Sequence, residues 1–429
     1  MDPTPLAPTG KLHPQPWMTA PPTRRVLDAL TATGGEARFI GGCVRDALLK
    51  RPIRDIDIAT PLPPETVMDL MTKAGIKVVP TGLSHGTVTA VSNGVPFEIT
   101  TLRVDVETDG RRAKVAFTDD WVADAARRDF TMNAFSCTTD GDVYDYFGGL
   151  EDLGHGRVRF VGNARERIQE DVLRLLRFFR FYATYGQPPA DRDALAACRA
   201  LAERLPLLSG ERVRVEIFRT LMAPDPADVM ALMQGERVLP HVLPEAGPVG
   251  RLRLMSWLDT RAIKMAHIAA HPVRRLGALL DTDATGAEAV AERLKMANRQ
   301  RRRLVMLAAP PASVRFDTPP ADLRRALHHL GPDAVTDLAL LAWAGDLSVE
   351  ARQPPGRTRA WTDVLEQAAA WTGVSFPLKG RDVMDRGITH GPRIGHLLKA
   401  VEAWWEASDY RPDRAACLAE LHRRIEETP

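Results

Sequence analysis

Short apolar runs alternate with helix-like stretches from Val26 to Phe160, and the runs keep the two-residue period of a strand. They predict strands at Ala37–Ile40, Asp55–Ala59, Lys77–Val79, Thr87–Val91, Phe97–Thr101 and Asp142–Asp145. Between Glu107 and Asp120 the apolar period fades around Asp109-Gly110-Arg111-Arg112, which predicts a mobile loop. After about Asn163 the period changes to that of helices, punctuated by Pro188-Pro189, Pro224, Pro244, Pro310-Pro311, Pro319-Pro320 and Pro354-Pro355. The expected fold class is α+β. Residues 25–160 form a head with a small mixed sheet, 161–245 a first helical domain and 246–429 a second, with the boundary near Pro244-Glu245-Ala246-Gly247. Residues 1–24 are proline-rich, carry no long apolar core and read as a flexible leader, neither signal peptide nor membrane span.

Composition changes this picture little. At 429 residues there is ample apolar content for several cores. A formal charge of +2 does not announce a nucleic-acid binder, so any such surface must come from local arginine clusters. Two exist, at Arg174-Arg177-Arg180 and Arg299-Arg301-Arg302-Arg303. Cys43, Cys137, Cys198 and Cys417 are scattered with no C-x-x-C pair, which argues against a zinc site or disulfide framework and for a reducing cytoplasm.

The first chemical signal is Arg38-Phe39-Ile40-Gly41-Gly42-Cys43-Val44-Arg45-Asp46 followed by Asp55-Ile56-Asp57-Ile58. In a strand alternate residues share a face, so Asp55 and Asp57 present their carboxylates together while Ile56 and Ile58 enter the core. Two hard oxygen ligands suit Mg²⁺, which binds one or two carboxylates plus substrate phosphates. The glycines let backbone N–H groups approach phosphate oxygens, and a helix start adds its positive end. Either motif alone has an ordinary reading, as a tight turn or a solvated strand end. In this order they point to a nucleoside triphosphate held against metal ions.

The second signal is Arg127-Arg128-Asp129-Phe130-Thr131-Met132-Asn133-Ala134, read either as an amphipathic helix start capped by Asp129 or as a phosphate-neutralising segment with Asn133 orienting sugar or backbone. The third is Glu170-Asp171-Val172-Leu173-Arg174-Leu175-Leu176-Arg177-Phe178-Phe179-Arg180-Phe181. On one helix, Asp171, Arg174, Arg177 and Arg180 form a winding polar stripe beside an apolar face. This is either an ordinary amphipathic helix or a stripe whose three arginines need further anionic partners. Cytosine and adenine both offer an amine donor beside a ring-nitrogen acceptor. A carboxylate that only accepts and a guanidinium that only donates match that edge, and uracil and guanine are refused.

These clusters, in this order, resemble the bacterial (class II) CCA-adding tRNA nucleotidyltransferase and poly(A) polymerase family. The matching residues are Gly41-Gly42-x-Val44-Arg45-Asp46 with Asp55-x-Asp57, Arg127-Arg128-Asp129-Phe130-Thr131-x-Asn133-Ala134, and Glu170-Asp171-x-x-Arg174-x-x-Arg177-x-x-Arg180-Phe181. Ser209-Gly210-Glu211-Arg212 leading into Glu216, Val238-Leu239-Pro240 and Leu243-Pro244-Glu245 are also family-like. The match is dense over residues 37–245 and looser beyond. The resemblance implies a polymerase-β-like nucleotidyltransferase head followed by helical neck, body and tail regions that hold tRNA. It implies Mg²⁺ at Asp55 and Asp57, triphosphate contacts from Gly42 and Arg45, and CTP or ATP contacts from Arg128, Asp171, Arg174, Arg177 and Arg180.

Glu98, in Phe97-Glu98-Ile99-Thr100-Thr101, is the candidate third carboxylate if its strand lies beside that of Asp55. An edge-strand glutamate is the equal alternative. The implied reaction is CCA addition to the tRNA 3′ end from CTP and ATP by two-metal nucleotidyl transfer, the 107–120 loop moving as CC addition gives way to A addition. Poly(A) polymerase, CC-only or A-only activity share these motifs. A non-catalytic RNA-binding protein would not need Asp55 and Asp57. No His-Asp dipeptide occurs, so the phosphohydrolase activity of some relatives is not expected. The Arg299–Arg303 run, Lys379-Gly380-Arg381-Asp382 and Gly387–Gly395 are either plain surface features or RNA-phosphate contacts.

Overall fold

The computed structural model describes residues 7–109 and 112–427, and the side chains of 106–114 lie outside that description. The chain divides into two compact units. One runs through Ala246 and takes in Arg293–Lys295; the other comprises Gly247–Glu292 and the chain from Met296 on.

The first unit is built on β1 (Gly10–Lys11), β2 (Arg38–Ile40), β3 (Ile56–Thr60), β4 (Lys77–Gly82), β5 (Thr87–Ser92), β6 (Val95–Thr101), β7 (Arg103–Asp109), β8 (Arg112–Phe117), β9 (Ser136–Cys137) and β10 (Asp142–Tyr144). Eight of them form one mixed sheet in the order β1-β10-β9-β2-β3-β6-β5-β4, and β7 pairs with β8 alone. β3 and β6 run parallel, placing Asp57 opposite Glu98 and Ile58 opposite Ile99. Because side chains alternate across a sheet, Ile58 and Ile99 go to the buried face with Val88 and Ala90, while Asp57 and Glu98 share the other. The helices Pro21–Thr31 and Pro64–Lys73 pack on each other and on β5, burying Val26, Leu30, Val67 and Met71.

Two expectations are corrected. The stretch read as a flexible leader enters the head from Thr9 onward: β1 pairs antiparallel with β10, Met18 is buried and Trp17 meets Phe39 edge-on at 4.8 Å. Its proline content suits short helices at Pro16–Thr19 and Pro21–Thr31, each beginning with a proline whose missing N–H costs nothing there. The segment read as a mobile loop is the β7–β8 hairpin, pairing Arg103 with Phe117 and Val104 with Ala116; Gly110 and Arg111 of that call lie outside the described residues. The alternation is present but short, at Val104 and Val106 and at Ala113, Val115 and Phe117, and the polar stretch between them hid it.

The head is joined to the helix Leu173–Tyr185 through aromatic packing. Phe130 bridges backbone-to-backbone with Phe160, and its ring lies 4.9 Å from those of Phe160 and Phe181. Phe178 stacks on Phe160 at 5.9 Å, and the helix Gly210–Leu221 packs along the other side. The apolar stripe read from the sequence is therefore what fixes the polar stripe of the same helix over the sheet.

The second unit is helical among its described residues. A π turn, Leu258–Ala262, buries Asp259, which receives Arg275 at 2.7 Å. Asp337 takes Arg274 at 3.1 Å and Arg303 at 2.5 and 2.7 Å. Of the 299–303 run, Arg303 thus holds the core and Arg301 pairs with Glu288, while Arg299 and Arg302 are exposed. In the C-terminal segment, Asp382 accepts from the Lys379 N–H and pairs with Arg414, which secures the start of the short helix Gly380–Met384.

Phe178→Ala is expected to cost about 3–5 kcal/mol, because removing a fully buried ring leaves a cavity between head and helix. Hydrogen exchange over residues 173–185 measures it as lost protection confined to the first unit.

Candidate active site

The strand β2 ends at a turn that only glycine fits well. Gly41 has φ +63°, and a Cβ there would lie 3.3 Å from Nη1 of Arg128. The turn starts the helix Gly42–Leu48, which carries Arg45 into the interior. Arg45 is buried; its Nε and Nη2 donate to Asp46 at 3.0 Å each and its Nη1 to Asn133 Oδ1 at 2.5 Å.

The turn forms one wall of a cavity of about 620 Å³ that also receives Asp57, the 127–133 segment, the start of the helix Leu173–Tyr185 and the helix Gly210–Leu221. Eight arginines line it, at 45, 127, 128, 174, 177, 180, 212 and 219, against Asp57, Asp129 and Asp171. Each arginine of the stripe is held by an acid from another turn or element. Arg174 donates to Glu170 at 2.5 Å and to the carbonyls of Arg167 and Arg127. Arg177 pairs with Asp129 at 2.7 Å, and Arg180 lies 2.6 Å from Glu216 in an ion pair that is off the hydrogen-bond direction. Arg127 and Arg128 both close on Asp124, at 2.6 and 3.0 Å.

Asp171 is not on the helix with the arginines. The chain breaks after the helix Ala164–Glu170, Asp171 is extended, and its Oδ1 accepts from the Leu173 N–H at 3.1 Å as the next helix begins. Its Oδ2 accepts from Arg212 at 2.7 Å, so Arg212 rather than Arg174 fixes this carboxylate. The segment from Arg127 is likewise not a helix start: Phe130 is extended and Thr131–Asn133 makes one 3₁₀ turn. Asn133 donates one amide N–H to Asp129 at 2.9 Å and accepts from Arg45 at Oδ1.

Charges in the cavity shift in the directions these contacts dictate. Burial pushes the Asp129 carboxyl up, but Arg177, Asn133 and the Phe130 N–H outweigh it and hold the group below the usual carboxylate range. Burial also opposes ionisation of Asp124, and Arg128 and Arg127 outweigh it in the same way. Asp57 behaves oppositely. Burial and then the nearby Glu98 raise it to about 6; Asp55 adds to this and Arg128 only partly offsets it. Asp55 lies just before β3 and is exposed, as is Glu98. Among the described residues the three carboxylates do not come within 4.8 Å of one another as a set.

The family model of the poly A polymerase head domain matches residues 37–159, and that of a probable RNA and SrmB-binding site of polymerase A matches residues 191–248. Human mitochondrial CCA tRNA nucleotidyltransferase 1 is 33% identical over 402 residues, spanning 90% of this chain and 87% of that protein. The chain belongs to the CCA tRNA nucleotidyltransferase and poly(A) polymerase family. A CCA-adding enzyme of Leuconostoc citreum is 44% identical over 211 residues, 49% of this chain and 50% of that protein. The Bacillus stearothermophilus CCA-adding enzyme in complex with CTP superposes with a TM-score of 0.74 at 26% identity, covering 95% of this chain and 99% of that one. The nucleotidyltransferase head of this family implies use of a divalent metal.

The fold gathers Gly42, Arg45, Asp57, Arg128, Asp171, Arg174, Arg177 and Arg180 around one cavity, and sets Asp55 and Glu98 beside Asp57 outside its lining. Sequence reasoning left Asp124, Asp129, Arg212 and Glu216 without a site role, although each secures a cavity arginine or Asp171. Their signal was the unbalanced arginine stripe, which required buried acids from elsewhere.

Because the Asp57 carboxyl is raised when folded, its contribution to stability is present below its ordinary pKa and lost as pH rises through about 6. Asp57→Asn in metal-free protein is therefore expected to gain about 1–3 kcal/mol at pH 7. Thermal melts in chelator should show a higher Tm for the variant at pH 7, with the difference gone near pH 4.

Proposed function

We propose that this chain adds C, C and A in turn to the 3′ end of tRNA, taking CTP and ATP and releasing pyrophosphate. The observation that carries this reading is that Asp171 and Arg174 line the same arginine-rich cavity as Gly41-Gly42 and Asp57. The relatives' names support tRNA as the acceptor, and CTP in the Bacillus stearothermophilus structure supports a nucleotide in this cleft.

The pieces divide the work. Arg174 uses three of its five N–H groups on protein carbonyls and Glu170, which leaves Nε–H and one Nη2–H for a base. Asp171, fixed by Arg212 and the Leu173 N–H, keeps lone pairs for an exocyclic amine. The pair accepts the cytosine or adenine edge and leaves buried groups unpaired against uracil or guanine. Gly42 admits the triphosphate to the backbone. Arg45, Arg128, Arg177 and Arg180 supply positive charge around the phosphates, each already aimed by an acid or amide.

Asp55 and Asp57, with Glu98, fit Mg²⁺: they are hard oxygen donors, and Glu98 stands opposite Asp57 on the paired strand. Bound there, Mg²⁺ lowers the pKa of the attacking 3′-hydroxyl and neutralises the triphosphate. Four free, buried cysteines support a reducing compartment, the cytoplasm, and no described helix is long and apolar enough to cross a membrane.

A tRNA transcript lacking CCA, incubated with CTP and ATP, is expected to gain three nucleotides; a homopolymer of A would replace this reading with poly(A) polymerase, and one or two residues with a partial enzyme. Asp57→Ala is expected to abolish turnover and leave tRNA retention in a filter assay unchanged. Asp171→Ala or Arg174→Ala should lower discrimination against UTP and GTP by roughly 10- to 100-fold, the worth of one charge-assisted hydrogen bond. Full selectivity in both variants would sink the base-edge account.

A further inference from the structure

We propose that His328, His329 and Glu406 form a second, non-catalytic site for a divalent transition metal, with zinc the best fit, which fastens the C-terminal helices to the helix Pro320–Leu330. The two histidines end that helix and Glu406 lies at the end of the helix Gly391–Ala407, so the ligands come from two elements far apart in sequence. One ligand atom from each lies within 4.8 Å of the others, and Nε2 of His329 is 3.3 Å from the Glu406 carboxylate. Zinc bonds of about 2.0–2.2 Å need ligand atoms roughly 3.3 Å apart, a contraction that side-chain rotation at half-exposed and exposed positions supplies. Two imidazoles and one carboxylate suit zinc and its neighbours, whereas the all-carboxylate group in the head suits a harder ion.

The surroundings favour a cation. Arg324 and Arg325 stand one turn away, yet each is already neutralised: Arg324 by Asp409 at 2.5 and 2.8 Å, Arg325 by Asp322 at 2.7 Å. That leaves the Glu406 charge directed at the imidazoles. The Tyr410 ring packs 5.1 Å from that of His328, and its hydroxyl is buried without a hydrogen-bond partner, the kind of group a metal-bound water satisfies. His329 also lines an open cleft of about 700 Å³ with Arg325 and Asp322, which gives an ion a way in. The C-terminal helices have their own core around Leu397, Val401, Trp405 and Leu421. Polar pairs, Arg324–Asp409 and His329–Glu406, tie them to the 320–330 helix, and a metal would stiffen that tie.

The test uses the full chain, with excess Mg²⁺ throughout to occupy the head carboxylates. After zinc loading and dialysis, elemental analysis should find about one more zinc per chain in the wild type than in His328→Gln/His329→Gln or in Glu406→Gln. Hydrogen exchange over residues 391–427 should slow about tenfold on loading in the wild type only. On unaltered protein, zinc should protect His328 and His329, and not the remaining histidines, from acylation read by mass spectrometry. Equal zinc retention in wild type and variants, or acylation of the pair unaffected by zinc, overturns the site. Retention at the site with unchanged exchange overturns the fastening role.

Discussion

Eight guanidinium groups converge on one cavity, and their mutual repulsion is the constraint around which the first unit is organised. A cluster of that charge holds its shape only if acids from other elements are fixed among the arginines. Asp129 is the centre of that arrangement. It receives Arg177, the Asn133 amide and the Phe130 N–H, and Asn133 in turn receives Arg45 from the glycine turn. One line of hydrogen bonds therefore runs from the turn after β2 to the helix Leu173–Tyr185, with Glu216 and Arg212 closing it from the helix Gly210–Leu221.

The residual charges on the two sides of this framework are opposite. On the arginine side eight guanidinium groups line the cavity against Asp57, Asp129 and Asp171. On the sheet side Asp57 stands opposite Glu98 on the paired strand, and burial, followed by Glu98, raises its carboxyl. The proposed metal-bound nucleotide would bring positive charge to the carboxylates and negative charge to the arginines.

The second unit balances its buried charges internally. Asp259 and Asp337 take Arg274, Arg275 and Arg303, and burial followed by Arg303 lowers the His271 imidazole to about 4, so it stays neutral there. Arginine-rich sequence thus lines a cavity in one unit and fastens the core of the other. Within the run from Arg299 to Arg303, Arg303 is held by the buried Asp337, and Arg299 and Arg302 face solvent.

The sequence by itself determined the period changes, and with them the six predicted strands and the turn to helices after residue 163. It left open whether Glu98 stands beside Asp57; the parallel pairing of β3 with β6 decided that the two share a face. It misread what depended on partners. β7 and β8 are strands because they pair with each other, and their short apolar alternation was broken by the polar stretch between them. Residues 9–24 are ordered because β10 and Phe39 receive them. Asp171 and the arginines share a cavity wall but not a helix, since Asp171 ends one helix and caps the next. Tertiary structure alone decided which acid neutralises which arginine: Asp129 with Arg177 and Glu216 with Arg180 are separated by tens of residues, and only the packing of Phe130, Phe160, Phe178 and Phe181 brings those separations to ion-pair distance.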